Sequence, residues 1–322
     1  MLLALSASDS KTRIRPEFSG QRAFCPVCGS EVVARCGRVN AWHWAHLSTA
    51  ECDSWHESET EWHRQWKAEF PEANQEIVHF DSTTGEKHIA DVKLDSGLVL
   101  EFQHSPISTE ELASRCNFYK NILWIVDSRS NADLKRLLSG LGRRQPNLLL
   151  QRKNTAGLSW EFWDICSRLL VPNAEIYRID DPWSVFRKGW NLDHPVVFDF
   201  SSEAESDNEK RPLVDAKQQD LLLSLCTNPF VREQIYLGLP KRIWCLFPPL
   251  EQRETYFAAA MRRRDFVKAL LENGSILRER TPDETLAITL SKLKFPLKIP
   301  VQKKISTTQT FFGVSRRRSR RF

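Results

Sequence analysis

Ile89-Ala90-Asp91-Val92-Lys93-Leu94-Asp95-Ser96-Gly97-Leu98-Val99-Leu100-Glu101-Phe102-Gln103 is the stretch on which the fold turns. Two alternating runs, His88 to Leu94 and Leu98 to His104, flank the turn signature Asp95-Ser96-Gly97, and this pattern predicts a β-hairpin. Register decides the chemistry. With a three-residue loop Leu94 pairs with Leu98, and Asp91 stands opposite Glu101 with Cβ atoms about 4.5 to 5.5 Å apart. A two-residue Ser96-Gly97 loop would instead set Asp91 against Phe102 and send the two acids to opposite faces. The apolar residues favour the first register, because it gathers Ala90, Val92 and Leu94 with Leu98, Leu100 and Phe102. Two neighbouring carboxylates repel, so a cation is expected between them. Oxygen-rich sites of this kind suit Mg²⁺ or Mn²⁺, and the chemistry implied is metal-assisted phosphodiester hydrolysis.

The flanks of the hairpin complete a mixed α/β pattern. Trp62, Trp66 and Phe70 repeat at helical spacing, so a helix is expected from about Ser58 until Pro71 stops it. Glu59, His63 and Lys67 form a second row, about a quarter turn away. After the hairpin, Ser108 with Glu111 makes a capping box that opens a helix to about Asn121, and Ile122 to Val126 reads as a buried strand. Beyond Ser128, Leu134 to Leu141 is expected to be helical. Residues 195–200 read as a last strand, Ser201 to Lys210 as a polar linker, and residues 214 to 293 as helical with proline breaks. The expected division is 1–56, a zinc-finger-like module; 57–200, the α/β domain; 201–213, a linker; 214–297, a helical C-terminal region; and 298–322, a basic tail.

The N-terminal module is read from its cysteines. Phe24-Cys25-Pro26-Val27-Cys28-Gly29 is a knuckle whose backbone amides can point at two thiolates, as tetrahedral Zn²⁺ requires. Cys25, Cys28, His46 and Cys52 would close a structural site, with His43 an alternative for either late ligand. Cys36 falls in a turn between Arg35 and Arg38 and is set aside. Four ligands leave no open position, so this zinc is expected to be structural rather than catalytic.

The whole chain bounds these readings. Its 322 residues are 41% hydrophobic and 27% charged, with mean hydropathy −0.44. That balance fits a folded protein with a substantial core and argues against global disorder. No apolar run approaches the length needed to cross a bilayer, and the opening Met1–Ala7 lacks the pattern of a secretory signal; a cytoplasmic, membrane-free protein is expected. Eight cysteines, four of them scattered, fit metal ligation in a reducing compartment better than disulfides. Net charge is +5, yet residues 298–322 hold eight basic residues and no acid, so the remainder of the chain is net acidic. The basic tail can attract phosphates without specificity.

Several motifs in order carry a resemblance to a known family. Cys25-Pro-Val-Cys28, His43-Trp-Ala-His46, Glu57-Ser-Glu59 before His63 and Lys67, Asp91, Glu101-Phe-Gln103-x-Ser105, Arg115 with Tyr119, and Trp124-Ile-Val-Asp127 resemble the CoiA-like competence proteins. The core among them resembles the PD-(D/E)xK nucleases. The resemblance spans about residues 1 to 200. It implies a nuclease acting on single- or double-stranded DNA in the handling of foreign or recombining DNA. On that reading Asp91 and Glu101 bind the catalytic metal. Glu59 or Glu61 supplies a third carboxylate, and the row of Glu59 with His63 and Lys67 faces the scissile phosphate. Gln103 stands where many relatives have Lys, and it can orient a water only through neutral hydrogen bonds. That departure keeps a second reading in view, a catalytically weak or inactive nucleic-acid-binding protein that retains the fold. An RNA-processing nuclease is a third.

Overall fold

The structure is a computed structural model. It describes residues 1–38, 41–47, 52, 53, 55, 59–131, 134, 160–179, 194–200, 242–247, 256–283 and 285. The linker at 201–213, the basic tail and the expected helix at 134–141, apart from Leu134, lie outside the described residues. Residues 1–278 form one compact unit and 279–322 a second; in the latter, the described residues make a helical turn in which the Thr285 amide donates to the Thr281 carbonyl at 3.0 Å.

Two sheets build the first unit. The smaller one contains β1 (Ala4–Ser6), β2 (Arg13–Ile14), β3 (Arg22–Phe24), β4 (Glu31–Arg35) and β5 (His43–His46) in the order β2-β1-β3-β4-β5. Val32, Ala34 and Trp44 of this sheet pack with Cys25 into a small core. The larger sheet contains β6 (Gln75–Phe80), β7 (Lys87–Lys93), β8 (Val99–Gln103), β9 (Ile122–Asp127), β10 (Glu175–Ile179), β11 (Val196–Asp199), β12 (Arg242–Phe247) and β13 (Tyr256–Arg262). Their order is β10-β13-β12-β11-β9-β8-β7-β6. The β8–β9 and β9–β11 pairs are parallel and the rest antiparallel, so the fold is mixed α/β as expected.

Among the described residues the α-helices are α1 (Glu61–Lys67), α2 (Thr109–Tyr119), α3 (Trp160–Arg168) and α4 (Arg263–Asn273). Alternation along the strands sorts the core into two layers. Leu98, Leu100 and Phe102 of the β7–β8 hairpin pack with Trp62 and Trp66 of α1, Phe162 of α3 and Phe266 of α4. Val99 and Trp124 pack instead with Leu112, Phe118 and Tyr119 of α2. The strand β8 is buried at every residue, with strands on both edges and helices on both faces.

The hairpin adopts the three-residue loop. Val92 pairs with Leu100 and Lys93 with Val99, the Leu94 amide donates to Leu98 at 2.9 Å, and the Gly97 amide donates to Leu94 at 2.8 Å. Gly97 supplies the positive φ of 83° that the turn requires. The hairpin tip meets the end of α4, where the Ser96 hydroxyl donates to the Gly274 carbonyl at 2.6 Å. A Cβ on Gly274, whose φ is +66°, would come within 2.5 Å of Ser96 Cβ, so both its conformation and its surroundings demand glycine.

Three expectations are corrected. The first helix is shorter than the aromatic spacing implies. Thr60 caps it, and it ends at Lys67 in i→i+3 bonds from Glu69 and Phe70 because Pro71 keeps Phe70 out of a further α-turn. Val196–Asp199 is a strand but not the last one. Finally, the region expected to be helical after residue 213 contributes β12 and β13, which lie in the middle of the sheet. Both are runs buried on two faces, and such runs lack the period that would separate strand from helix. In α4 the helical expectation for that region does hold.

Candidate functional site

Two polar centres stand in the first unit. At the first, the knuckle forms as its sequence requires: Gly29 takes φ 71°, its amide donates to the Cys25 carbonyl at 2.9 Å, and the Cys25 amide donates to Ser30 at 2.8 Å. One donor atom from each of Cys25, Cys28, His46 and Cys52 lies within 4.8 Å of the others. Cys25 Sγ is 3.5 Å from Cys52 Sγ, and Cys28 Sγ is 3.4 Å from His46 Nε2. A tetrahedral ion with ligands at about 2.3 Å would space its sulfurs by about 3.7 Å, so three thiols and one imidazole can hold a metal such as zinc with little rearrangement. His43 is not the alternative ligand. It lies on the opposite face of β5 from His46, and its Nδ1 donates to the Ala41 carbonyl at 2.8 Å. Burial raises the Cys25 and Cys52 thiols. Burial also disfavours the Cys28 thiolate, but the Ser30 hydroxyl and amide, His46 and Cys25 outweigh it and bring Cys28 down to about 6. Binding a cation here therefore releases protons.

The second centre grows from the hairpin. Beyond Val92–Leu100 the backbone ladder gives way to carboxylates: Asp91 Oδ2 accepts the Phe102 amide at 3.0 Å, and Glu101 Oε1 accepts the Asp91 amide at 3.3 Å. The two acids face each other across the strand pair and line one cavity. With a volume of about 80 Å³ the cavity holds several waters but no nucleoside.

Lys67 reaches into this cavity from α1. Its Nζ lies 3.0 Å from Asp91 Oδ1, 3.2 Å from Glu76 Oε1 and 3.3 Å from Glu59 Oε1. Burial disfavours the ammonium, but the surrounding carboxylates overcome it, so Lys67 stays charged well above the ordinary lysine range. Glu76 sits in β6 opposite Asp91, between the pairs Gln75–Val92 and Ile77–Ala90. Its left-handed φ of 48° belongs to a residue whose carboxylate also accepts the Leu2 and Leu3 amides at 2.8 and 2.9 Å. Such a conformation costs about 1 to 2 kcal/mol in a non-glycine residue, and these bonds offset it. Burial would raise Glu76, but Lys67, the chain's amino terminus and the two amides hold it down at about 2.

Glu101 has its own cation. Arg115 of α2 donates Nη1 to Glu101 Oε2 at 3.1 Å and Nη2 to the Trp55 carbonyl at 2.7 Å. Burial and the Asp91 charge nevertheless push the Glu101 carboxyl up to about 8, against the pull of Arg115. The cavity wall thus carries five acidic side chains, those of Asp53, Glu59, Glu76, Asp91 and Glu101, against Lys67, Arg115 and the amino terminus of Met1.

The remaining candidates divide. Glu59 belongs to the cavity, and its buried Oε1 meets Lys67 Nζ at 3.3 Å as an ion pair without forming a hydrogen bond. Glu61 does not: it starts α1 on the outer side, 68% exposed, paired with Arg64. His63 lines the cavity, but both of its nitrogens hold the scaffold. Nδ1 accepts the Thr60 amide at 3.2 Å, completing the helix cap, and Nε2 donates to the Phe102 carbonyl at 2.9 Å. Gln103 is not among the residues lining the cavity, and it donates its amide to the Ser105 carbonyl at 2.9 Å. Glu57 lies outside the described residues.

Sequence reasoning placed Lys67 on the correct row without giving it a partner, and it passed over Glu76, Asp53 and Trp55. It also missed Asp199. This fully buried carboxylate at the end of β11 accepts the indole N–H groups of Trp62 and Trp66 at 2.8 and 2.9 Å, fixing α1 over the sheet.

Among the described residues no helix is long and apolar enough to cross a membrane. No curated protein and no solved structure matches the chain significantly. Residues 8–54 match the family model of the N-terminal domain of competence protein CoiA. The module that holds the soft donors is thus similar to the CoiA N-terminal domain over those residues, in line with the resemblance that its motifs carry.

Proposed function

We propose that the second centre hydrolyses phosphodiester bonds of DNA with the help of a divalent ion, Mg²⁺ or Mn²⁺, held by Asp91 and Glu101. The observation that carries this reading is the charge of the cavity, where five acidic side chains outnumber Lys67, Arg115 and the Met1 amino terminus, and the buried Glu59 Oε1 meets Lys67 Nζ at 3.3 Å without forming a hydrogen bond. A buried acid surplus attracts a hard cation and repels a bare phosphate, so a DNA backbone is drawn in only with that cation. Asp91 is the more open donor, 22% exposed against 5% for Glu101. An ion bound there would lower the pKa of its water and neutralise charge on a phosphate oxygen. Lys67 supplies the positive charge beside Asp91 that Gln103, a neutral amide turned to Ser105, does not. Two adjacent strands bearing Asp91 and Glu101, next to a helix preceded by Glu59, also match the arrangement expected of a PD-(D/E)xK core, which supports the reading.

The test is cleavage of plasmid and single-stranded DNA by the purified chain. Cutting is expected with Mg²⁺ or Mn²⁺ and not with EDTA, and Asp91→Ala and Glu101→Ala should each lower the rate by more than about 100-fold. DNA retained in a gel shift but uncut under every metal would overturn it. One observation favours that second outcome, a nucleic-acid-binding protein without activity: Lys67 and Arg115 already pair with Asp91 and Glu101. In that case the alanine variants bind DNA as the parent does.

A further inference from the structure

The two polar centres are joined by a short stretch of chain. Cys52 is a donor of the soft cluster. Asp53 follows it, and its carboxylate serves the other centre: Oδ1 accepts His88 Nδ1 at 2.8 Å, and Oδ2 accepts the Ile89 amide at 3.0 Å. The Ile89 amide lies beyond the last ladder pair of β7 and β8, so Asp53 completes the strand where β8 has parted from it. Trp55 stacks on His88, ring centroids 3.3 Å apart and planes at 13°. Its carbonyl accepts Arg115 Nη2 at 2.7 Å, and the Arg115 guanidinium stands 5.5 Å from the Trp55 ring centroid. Arg115 in turn holds Glu101 Oε2 at 3.1 Å.

Neither Asp53 nor Trp55 belongs to a helix or strand. An irregular segment must be ordered before its side chains can hold buried partners, and ordering each residue opposes the contact it makes. Ligation at Cys52 removes that freedom in advance, because a four-donor site fixes its ligands as it folds. We propose that the metal centre governs the acidic cavity: an ion on Cys25, Cys28, His46 and Cys52 fixes Asp53 and Trp55, and these two positioning residues hold Arg115 on Glu101. Loss of the ion frees the stretch, releases the Ile89 amide and loosens Arg115.

The coupling rests on metal binding at the soft cluster and not on hydrolysis, so its readouts are structural. With the full chain carrying one zinc per molecule, chelation confirmed by elemental analysis is expected to speed exchange of the Ile89 amide at least about tenfold, while amides of β12 and β13 keep their rates. Asp53→Asn should speed Ile89 exchange in the same way with zinc retained. Trp55→Ala, also with zinc retained, should lower the order of the Arg115 guanidinium, followed by ¹⁵N relaxation of its Nε–H group and assigned with Arg115→Lys, as Arg115 loosens. Unchanged Ile89 exchange after chelation, or uniform loss of protection across the large sheet, overturns the coupling. So does an unchanged order of the Arg115 guanidinium in Trp55→Ala. A chain that cuts no DNA yet shows these changes keeps the coupling and loses the nuclease reading; one that cuts DNA without them does the reverse.

Discussion

The two polar centres solve the same electrostatic problem in opposite ways. The soft cluster of Cys25, Cys28, His46 and Cys52 brings together donors whose thiols are influenced by no lysine or arginine among the described residues, so its charge balance falls to a bound ion. The acidic cavity carries Lys67 and Arg115 as built-in cations, and these neutralise part of its wall. A centre with no internal cation is a metal site by default, whereas one with too few is a site whose state depends on what enters it.

Removing the internal cation should have the largest effect. Lys67→Met leaves Glu59, Glu76 and Asp91 together without the ammonium, and stability in urea should fall by about 3 to 5 kcal/mol. If the cavity accepts a divalent ion, millimolar Mg²⁺ should recover part of that loss in the variant and less in the parent. A fall under about 1 kcal/mol would mean that the three acids take up protons instead, and the contrast between the centres would dissolve.

At the soft cluster, Cys25→Ser should empty the chain of metal and lower the thermal midpoint, since structural zinc contributes folding free energy directly. His43→Ala should change neither metal content nor stability beyond about 0.5 kcal/mol, because its imidazole lies outside the cluster of donors and bonds the Ala41 carbonyl. Equal effects of the two substitutions would show that the ligand set is wrong.

Titration sharpens the comparison with a smaller effect. Glu101, pushed up to about 8 from the ordinary 4.5, is bound by a proton more readily in the folded chain than in the unfolded one, so its contribution to stability declines as pH climbs from about 4.5 to about 8. Glu76, held near 2, contributes fully above about 4.5 and loses that contribution as pH falls toward 2. Urea midpoints measured from pH 5 to 8 should slope downward and flatten in Glu101→Gln. A bound divalent ion, which favours the carboxylate, should reverse that slope, whereas an identical slope in Glu101→Gln would assign it to other groups.

The sequence made some of this legible and hid the rest for physical reasons. The register of Asp91 and Glu101 could be read because the apolar faces of one hairpin permit a single pairing and the turn is local. The row of Glu59, His63 and Lys67 was visible too, but its meaning was not. The carboxylates that surround Lys67 come from the approach to α1, from β6 and from β7, and no local pattern joins them. Glu76 was hidden twice, by its left-handed backbone and by a pairing with Asp91 that depends on where β6 lands. The choice between His43 and His46 was legible in principle, since residues three apart on a strand face opposite ways. Arg-Ile-Trp-Cys-Leu-Phe (242–247) and Tyr-Phe-Ala-Ala-Ala-Met-Arg (256–262) could not be told from helix, because a strand buried on both faces shows no alternation.

The strand order has a consequence for how the molecule comes into being. Strand β10 joins the large sheet through β13, which joins through β12, so residues 175–179 wait for a segment made about eighty residues later. On the ribosome, β6 to β9 can zip first from near neighbours. The Gly274 cap then meets the Ser96 hairpin tip among the final contacts. A nascent chain halted before Arg242 would bare the flank of β11 as an open seam, and the cell's proteases and chaperones would meet it there.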